Sequence, residues 1–326
     1  MINKQAIVYD TFIDLMREKI PQRGKLTKEL VDILCIEKEA VYRRLRGEVP
    51  FTFWEVTMIA QKLNISLDHI IATNSPQSRP FQLKLSRFYD LTETDYSMHE
   101  EFLNLLGQVD ANRYSEFGFV TSILPLHFSI RYTAIHRFYV LRWLYQFGNP
   151  GAVPVYSQIE FSDRMKGIQQ RFLKEVEKVK YTYFIWDKLT LLYLVNDINY
   201  FYSIRLLMKE DVELLKEDIL NLLTYLENLT VTGSYANGNK VHFYISNLNF
   251  ETTYTYLQNC DYSLTLIKVF TLNEVASLDE AVFQKVKTWI QSLKRTSMLI
   301  SESDEKNRIL FFESQRKLIE ENLKID

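Results

Sequence analysis

Glycine is scarce in this chain, with nine in 326 residues. None falls in a phosphate-cradling loop pattern and no G-x-S-x-G elbow occurs, so two common signatures of nucleotide-binding and acyl-transfer chemistry are missing. Cysteine is scarcer, at two. Cys35 lies within an apolar helical pattern, which argues against a disulfide and for a reducing cytoplasm. The five histidines, His69, His99, His127, His136 and His242, show no metal-ligand spacing with cysteine or carboxylate, so neither a metal nor a cofactor is expected. His127 and His136 are expected on one helix, pointing apart. No apolar run approaches a membrane span; the most apolar stretch, Leu189–Val195, is too short. Met1–Asp10 lacks the continuous apolar run of a secretory signal. A cytoplasmic protein with no membrane partner is the expectation.

What is present is core-forming material. The chain is 47% hydrophobic and 14% aromatic, which predicts a globular protein, and its length predicts two or three domains. The net charge is only −2, yet charge is unevenly spread. From Leu15 to Arg46 there are nine Lys/Arg against five acids, a local excess of four.

That basic stretch contains LTKELVDILCIEKEAVYRRLRGEVPF, Leu26–Phe51. It predicts two short helices joined by a tight turn. The first spans Thr27–Leu34, with Thr27 as N-cap and Leu30, Val31 and Leu34 on one face. Cys35 and Ile36 make the turn. The second spans Glu37–Arg46. Val41 and Leu45 point inward, while Glu37, Lys38, Glu39, Tyr42, Arg43 and Arg46 lie opposite. Gly47 ends it in the left-handed conformation, and Pro50 follows as a stop. Helices over Gln5–Lys19 (Val8, Phe12, Leu15, Met16 inward), Phe53–Leu63 (Val56, Ile59, Ala60, Leu63) and Leu67–Ile71 (capped by Ser66) complete an all-α domain of five helices.

The spacing from Leu30-Val31 through Val41 to Gly47, followed by IAQKLNISLDHII, resembles the lambda-repressor/Cro-like (XRE-type) helix-turn-helix regulators over residues 5–73. Two positions depart from that pattern. Cys35 stands where glycine is usual in the turn, at a small cost if its φ is positive, and Arg44 stands where an apolar residue is usual. The resemblance implies that the second helix docks in the major groove, with Lys38, Glu39, Tyr42 and Arg43 nearest the base edges. Their chemistry suits that role. Arg43 can bind guanine O6 and N7 in bidentate fashion, Lys38 can do so more loosely or hold a phosphate, and Glu39 can accept from cytosine N4. Tyr42 can touch a thymine methyl or donate to a phosphate. Thr27, Lys28 and Arg46 complete the candidate DNA-binding set. The competing reading is a helical protein-interaction domain with an ordinary solvated charged face.

The stretch TNSPQSRP, Thr73–Pro80, has two prolines and no periodicity. It predicts a helix-turn-helix domain over 1–75, a linker over 76–80 and a larger α+β module over 81–326, with a subdivision near 148–158. In that module Phe81–Phe88 reads as a strand and Thr94–Val109 as a helix. A long helix is expected from Pro125 to Phe147 and another over Ile159–Val179. Tyr181–Trp186 reads as a strand. Asp211–Leu229 carries a 3-4-3-4-3 seam (Val212, Leu215, Ile219, Leu222, Leu226, Leu229), which suits a core-facing helix or a dimer stripe. Asn237-Gly238 predicts a hairpin joining Thr230–Tyr235 to Lys240–Ser246. Glu251–Leu257 and Tyr262–Phe270 add strands to a mainly antiparallel sheet. Ser277 and Glu280 predict a capping box for a helix carrying Val282, Val286, Trp289, Ile290 and Leu293. A last helix, Asp304–Leu323, turns Ile309, Phe312, Ile319 and Leu323 inward.

No catalytic constellation stands out after residue 80, so an enzyme is not expected. The aromatic run Tyr181–Tyr202 is either core or the wall of a small-molecule pocket, in which Tyr183, Trp186, Asp187, Asn196 and Asp197 would hold an effector. Together these features predict a regulator that binds double-stranded DNA as a homodimer, its C-terminal module serving association and effector sensing. The runner-up is an adaptor whose helical domain binds a protein partner. A third reading, an enzyme tethered to DNA, would need a convergent acid/base pair in the C-terminal module.

Overall fold

The computed structural model describes residues 4–63, 65, 67, 70, 82–84, 86–110, 113–148, 153–270 and 272–323. They belong to two compact units, 1–81 and 82–326.

The first unit is helical: α1 (Lys4–Lys19), α2 (Arg23–Leu34), α3 (Lys38–Leu45) and α4 (Phe53–Leu63). Phe12 and Met16 on α1, Leu26 and Leu30 on α2, Val41 on α3 and Ile59 on α4 meet in one core, which Phe51 and Ile70 also enter. Each fully buried side chain of this size contributes about 1.5–3 kcal/mol. The apolar stripe of α2 begins at Leu26, so the helix starts at Arg23, four residues before Thr27. Thr27 is therefore an interior helical residue, and Gln22 holds the N-cap position expected of it. Cys35 closes α2 with φ 53°, its amide bonded to the Val31 carbonyl at 2.9 Å. Gly47 follows α3 with φ 75°, as expected. Of the expected fifth helix, Leu67 and Ile70 are described and helical; Ser66 and the linker Thr73–Pro80 lie outside the described residues.

The second unit is α+β. Its strands are β1 (Gln82–Lys84), β2 (Glu116–Thr121), β3 (Tyr181–Asp187), β4 (Lys240–Ser246), β5 (Tyr254–Gln258), β6 (Ser263–Lys268), β7 (Glu274–Ser277) and β8 (Ser297–Leu299). They form one sheet in the order β1-β7-β6-β5-β2-β3-β4-β8. Five of its seven pairings are antiparallel, and β2-β3-β4 form a parallel centre. The helices are α5 (Glu93–Gly107), α6 (Leu126–Ser129), α7 (Thr133–Phe147), α8 (Asp163–Glu177), α9 (Thr190–Ser203), α10 (Lys209–Thr232), α11 (Glu280–Leu293) and α12 (Glu305–Asn322). The main core joins one face of the sheet (Phe117, Phe184, Trp186, Phe243) to α7, α9, α10 and α12. A smaller core on the other face joins Val120, Ile185 and Tyr256 to Phe283 and Ile290 of α11. The seam of α10, Val212 to Leu229, is wholly buried in the main core, so it faces inward and is not a dimer stripe.

Several elements differ from expectation for local reasons. The helix expected over Pro125–Phe147 is interrupted between Ser129 and Thr133, so His127 and His136 stand on different helices. α8 begins at Asp163, where the Ser162 hydroxyl accepts from the Met165 amide at 3.1 Å. The turn at Asn237-Gly238 forms, with Gly238 at φ 85°. The segment before it is the end of α10, closed by Gly233 at φ 60°, and only a single Ser234–Lys240 bridge remains of the expected hairpin. Asp279, not Ser277, caps α11, accepting from the Val282 amide at 2.8 Å. Ile309 is exposed, whereas Phe312, Ile319 and Leu323 are buried.

Two devices stiffen the sheet centre. At Gly118 an added Cβ would lie 2.1 Å from the Tyr256 ring, so that ring needs glycine on the adjacent strand. Beside it the buried Glu116 carboxylate accepts from the Tyr114 and Tyr256 hydroxyls and from Gln291 Nε2 at 3.0 Å, with Lys287 Nζ at 3.2 Å. Burial works against its charge, but these donors prevail and hold its pKa below the usual carboxylate value.

Candidate nucleic-acid interface

The basic turn of the first unit places α3 as a short helix anchored on one side and open on the other. Val41 is fully buried and fixes the inner face. Lys38, Glu39, Tyr42, Arg43 and Arg46 are all exposed, and on a period of 3.6 they form one outward ridge. Lys28 on α2 is also exposed. Thr27 is 1% exposed and cannot reach a ligand, so it leaves the candidate set.

Arg44 departs from the apolar pattern because it is a strut. Its guanidinium grips Glu55 of α4 with two prongs, at 2.8 Å and 3.2 Å, and donates to the Ala40 carbonyl at 3.2 Å. Both side chains are largely covered, at 16% and 12% exposure. Glu55 also accepts from the Thr52 amide at 2.7 Å, while the Thr52 hydroxyl accepts from the Glu55 amide at 3.2 Å. Thr52-x-x-Glu55 is thus a capping box at the start of α4, a signal readable in the sequence and missed there. Burial raises the Glu55 pKa, but the Thr52 amide and Arg44 outweigh it and hold the carboxyl below its ordinary value. The Tyr9 hydroxyl completes the brace by donating to the Arg44 carbonyl at 2.9 Å. α1, α3 and α4 are locked together by polar contacts as well as by the core.

The outward ridge carries its own counter-charges. Arg46 touches Glu39 at 3.3 Å and Glu48 at 2.8 Å, and Arg43 lies 3.7 Å from Glu48. Lys38 Nζ sits 5.7 Å from the centre of the Tyr42 ring. All are solvent-exposed pairs, worth at most about 1 kcal/mol each, so a phosphate or a base edge can displace them. Just beyond α3, Phe53 and Trp54 are 81% and 71% exposed. Sequence reading gave neither a role.

A short helix with an exposed basic ridge, held against a preceding helix by a tight turn, is the arrangement found in helix-turn-helix DNA readers. Over residues 3–96 the chain matches the BetR domain, a helix-turn-helix-like DNA-binding regulator domain. The match covers less than a third of the chain and extends to the first turn of α5. No curated protein and no solved structure matches the chain.

The second unit does not gather the residues singled out as an effector pocket. Tyr183 and Trp186 lie on opposite faces of β3. Tyr183 stacks on His242 at 5.0 Å and takes Lys294 Nζ over its ring at 3.1 Å; burial pushes that amine down to about 8. Trp186 is buried in the main core. Asp187 turns the chain into α9, its Oδ1 accepting from the Leu189 amide at 2.9 Å. Asn196 is exposed, and Asp197 pairs with Arg142 at 2.8 Å. The aromatic run is a strand and a helix: Phe184, Trp186 and Phe201 are core, while Tyr181, Tyr193 and Tyr200 are exposed. Among the described residues no cluster of three metal-ligating side chains occurs, and no helix is long and apolar enough to cross a membrane.

Proposed function

We propose that the protein is a sequence-specific transcriptional regulator that reads double-stranded DNA through α3, in the XRE-type arrangement. The observation that carries this is the division of labour along α3. Val41 and Arg44 fix the helix, and Lys38, Glu39, Tyr42, Arg43 and Arg46 stand exposed on its outer side, held only by solvent-exposed pairs. Arg43 has the geometry for guanine, Lys38 and Lys28 for phosphate. One such helix reads only a few base pairs, so specific recognition calls for two copies on a two-fold axis. The second unit supplies that association and senses an effector, acting in the cytoplasm by packing and binding rather than by making or breaking bonds.

Selection of fragments from a random duplex pool by the purified full chain tests this. Enrichment of a spaced inverted repeat is expected, with affinity falling linearly in log–log fashion with salt. Recovery of unenriched sequence, or no retention at low salt, refutes it. The exposed Phe53–Trp54 pair favours a second reading, an adaptor that binds a protein through the helical unit. That reading predicts loss of partner binding in Trp54→Ala and no salt-dependent DNA retention.

A further inference from the structure

The second unit holds a crevice that nothing above assigns, at the carboxyl end of β2. Its free volume is about 200 Å³, and it opens to solvent. Ser122 and Ile123, which follow β2 directly, line it. β4 ends at the same edge of the sheet and β5 lies beyond β2, so the connection between them crosses the strand ends and brings Glu251, Thr252 and Thr253 to the crevice. Lys268 at the end of β6 and Arg142 of α7 complete the wall, beside the exposed Val269 and Phe270. Ligands of sheets with parallel strands characteristically sit outside the carboxyl ends of those strands. This crevice does so where the parallel centre of the sheet gives way to antiparallel β5.

Its charges are unevenly covered. The Lys268 side chain is 9% exposed and faces Glu274 of β7, itself 32% exposed, at 3.5 Å, too long for a good hydrogen bond. Arg142 is 17% exposed and pairs at 2.8 Å with Asp197 of α9, which is 37% exposed. Each cation is thus more deeply covered than its acid, and Glu251, the acid of the lining, is exposed. Water screens an exposed charge more than a covered one, so the interior of the crevice is positive. Unused donors remain there. Asp197 takes only part of the guanidinium's five N–H groups. Lys268 Nζ, the Ser122 hydroxyl and the other Arg142 nitrogens have no hydrogen-bond partner among the described residues, and none of them is sealed from solvent. The Thr252 hydroxyl is already spent on the Lys268 carbonyl at 2.7 Å, and that of Thr253 is engaged with Thr121 at 3.1 Å.

We propose that this crevice binds a small organic acid, its carboxylate or phosphate head accepting from Lys268, Arg142 and the Ser122 hydroxyl, and its apolar part lying against Val269 and Phe270. Charge-assisted hydrogen bonds to such oxyanions are the strong ones, and the fork of a guanidinium matches them in shape. A neutral molecule leaves the covered charges without a counter-ion, and an amine adds a third cation to the two already there. If the regulator reading holds, this acid is the effector; the binding itself does not depend on that reading.

The test titrates the full chain, without DNA, with three probes that share a phenyl group: benzoate, phenyl phosphate and the neutral benzamide. Calorimetry gives affinity, and the methyl resonances of Ile123 and Val269 locate the site. At least one of the two anions is expected to bind saturably and about tenfold tighter than benzamide, the ratio expected for one charge-assisted hydrogen bond; the tighter of the two names the head group. Lys268→Met keeps the covered stem and removes the ammonium. It is expected to bring the anions down to the level of benzamide while benzamide still moves Ile123, which shows that the crevice is intact. Arg142→Gln is expected to act in the same way, so either variant alone decides. Equal affinity of the wild type for all three probes, no saturable binding of either anion, anion binding that leaves Ile123 and Val269 unmoved, or an anion preference that survives both substitutions overturns the proposal. A failure of DNA retention with anion binding intact would overturn the regulator reading alone.

Discussion

Arg43 and Arg44 are neighbours in sequence with opposite fates, and exchanging their effects would undo the assignment of α3. Arg43 is over half exposed, and its ion pair to Glu48, at 3.7 Å, is exposed too. Arg43→Ala is expected to change stability by less than about 0.5 kcal/mol, because such a pair contributes little. Its cost falls on specific DNA affinity, about 1–3 kcal/mol for a lost bidentate guanine contact, concentrated at one base position. Arg44→Met does the reverse. It keeps most of the aliphatic stem but loses two prongs to Glu55 and the bond to Ala40. Glu55 is left with a covered charge still held by the Thr52 amide. Hydrogen bonds to charged groups contribute about 1.5–3 kcal/mol each when one partner is removed, and the sharing of one carboxylate keeps the total near 2–3 kcal/mol. Native-state hydrogen exchange of the Val41 and Ile59 amides reads the local stability, and fluorescence anisotropy on the selected duplex reads affinity. At temperatures where Arg44→Met remains folded, its base preference is expected to be unchanged. A stable Arg44→Met with relaxed base preference, or an Arg43→Ala that loosens α2–α4, would show that the helix register is wrong by one residue.

Four further outcomes follow from the same geometry. Acid is expected to loosen the second unit in two stages. Burial depresses His136 to about 4 from its ordinary 6.5, so the unfolded chain takes up a proton first and stability falls as pH drops from about 6.5 towards 4. Glu116 is held below 4.5 in the fold, so its contribution is present above that value and is lost further down; urea midpoints between pH 7 and pH 3, with His136→Phe flattening the upper slope, check both. Gly118→Ala is expected to cost the second unit about 1–3 kcal/mol by urea denaturation, because Tyr256 is buried and has little room to withdraw. Cys35→Gly is expected to stabilise the first unit by about 0.5–1 kcal/mol in the exchange assay, since the left-handed φ penalty for cysteine exceeds glycine's entropic cost. Residues 1–81 alone are expected to sediment as a monomer and to bind the selected duplex far more weakly than the full chain; a dimeric fragment with undiminished affinity would move the association surface into the first unit.

The first unit was legible because its signals are local. Val41, Gly47 and the exposed positions of α3 follow from the 3.6-residue period and one terminating glycine. Where reading failed, the cause was a competing signal. Thr27 is a good capping residue, but Leu26 already belongs to the buried stripe, and packing of that stripe outweighs a cap. β2 gave no signal because it is buried on both faces, and without alternation a strand of six residues has no period to read. The hairpin at Asn237-Gly238 had correct turn chemistry, yet turn chemistry does not say whether the arm before it is a strand or the end of α10. Nearness in sequence does not gather Tyr183 to Asp197 into one pocket, because a strand sends Tyr183 and Trp186 to opposite faces.

Arg46, held between Glu39 and Glu48, bears on how such a protein moves along a genome. Non-specific attraction to a duplex comes from mobile salt ions set free when cations meet phosphates. A guanidinium already neutralised by acids of its own helix and of the turn beyond it exchanges one tethered anion for another, and releases fewer ions than a bare arginine. The number of lysines and arginines on this face therefore overstates its grip on random sequence. On the proposed reading, a weaker grip would shorten each unproductive stop and leave base recognition, which we propose for Arg43, a larger share of the total binding energy.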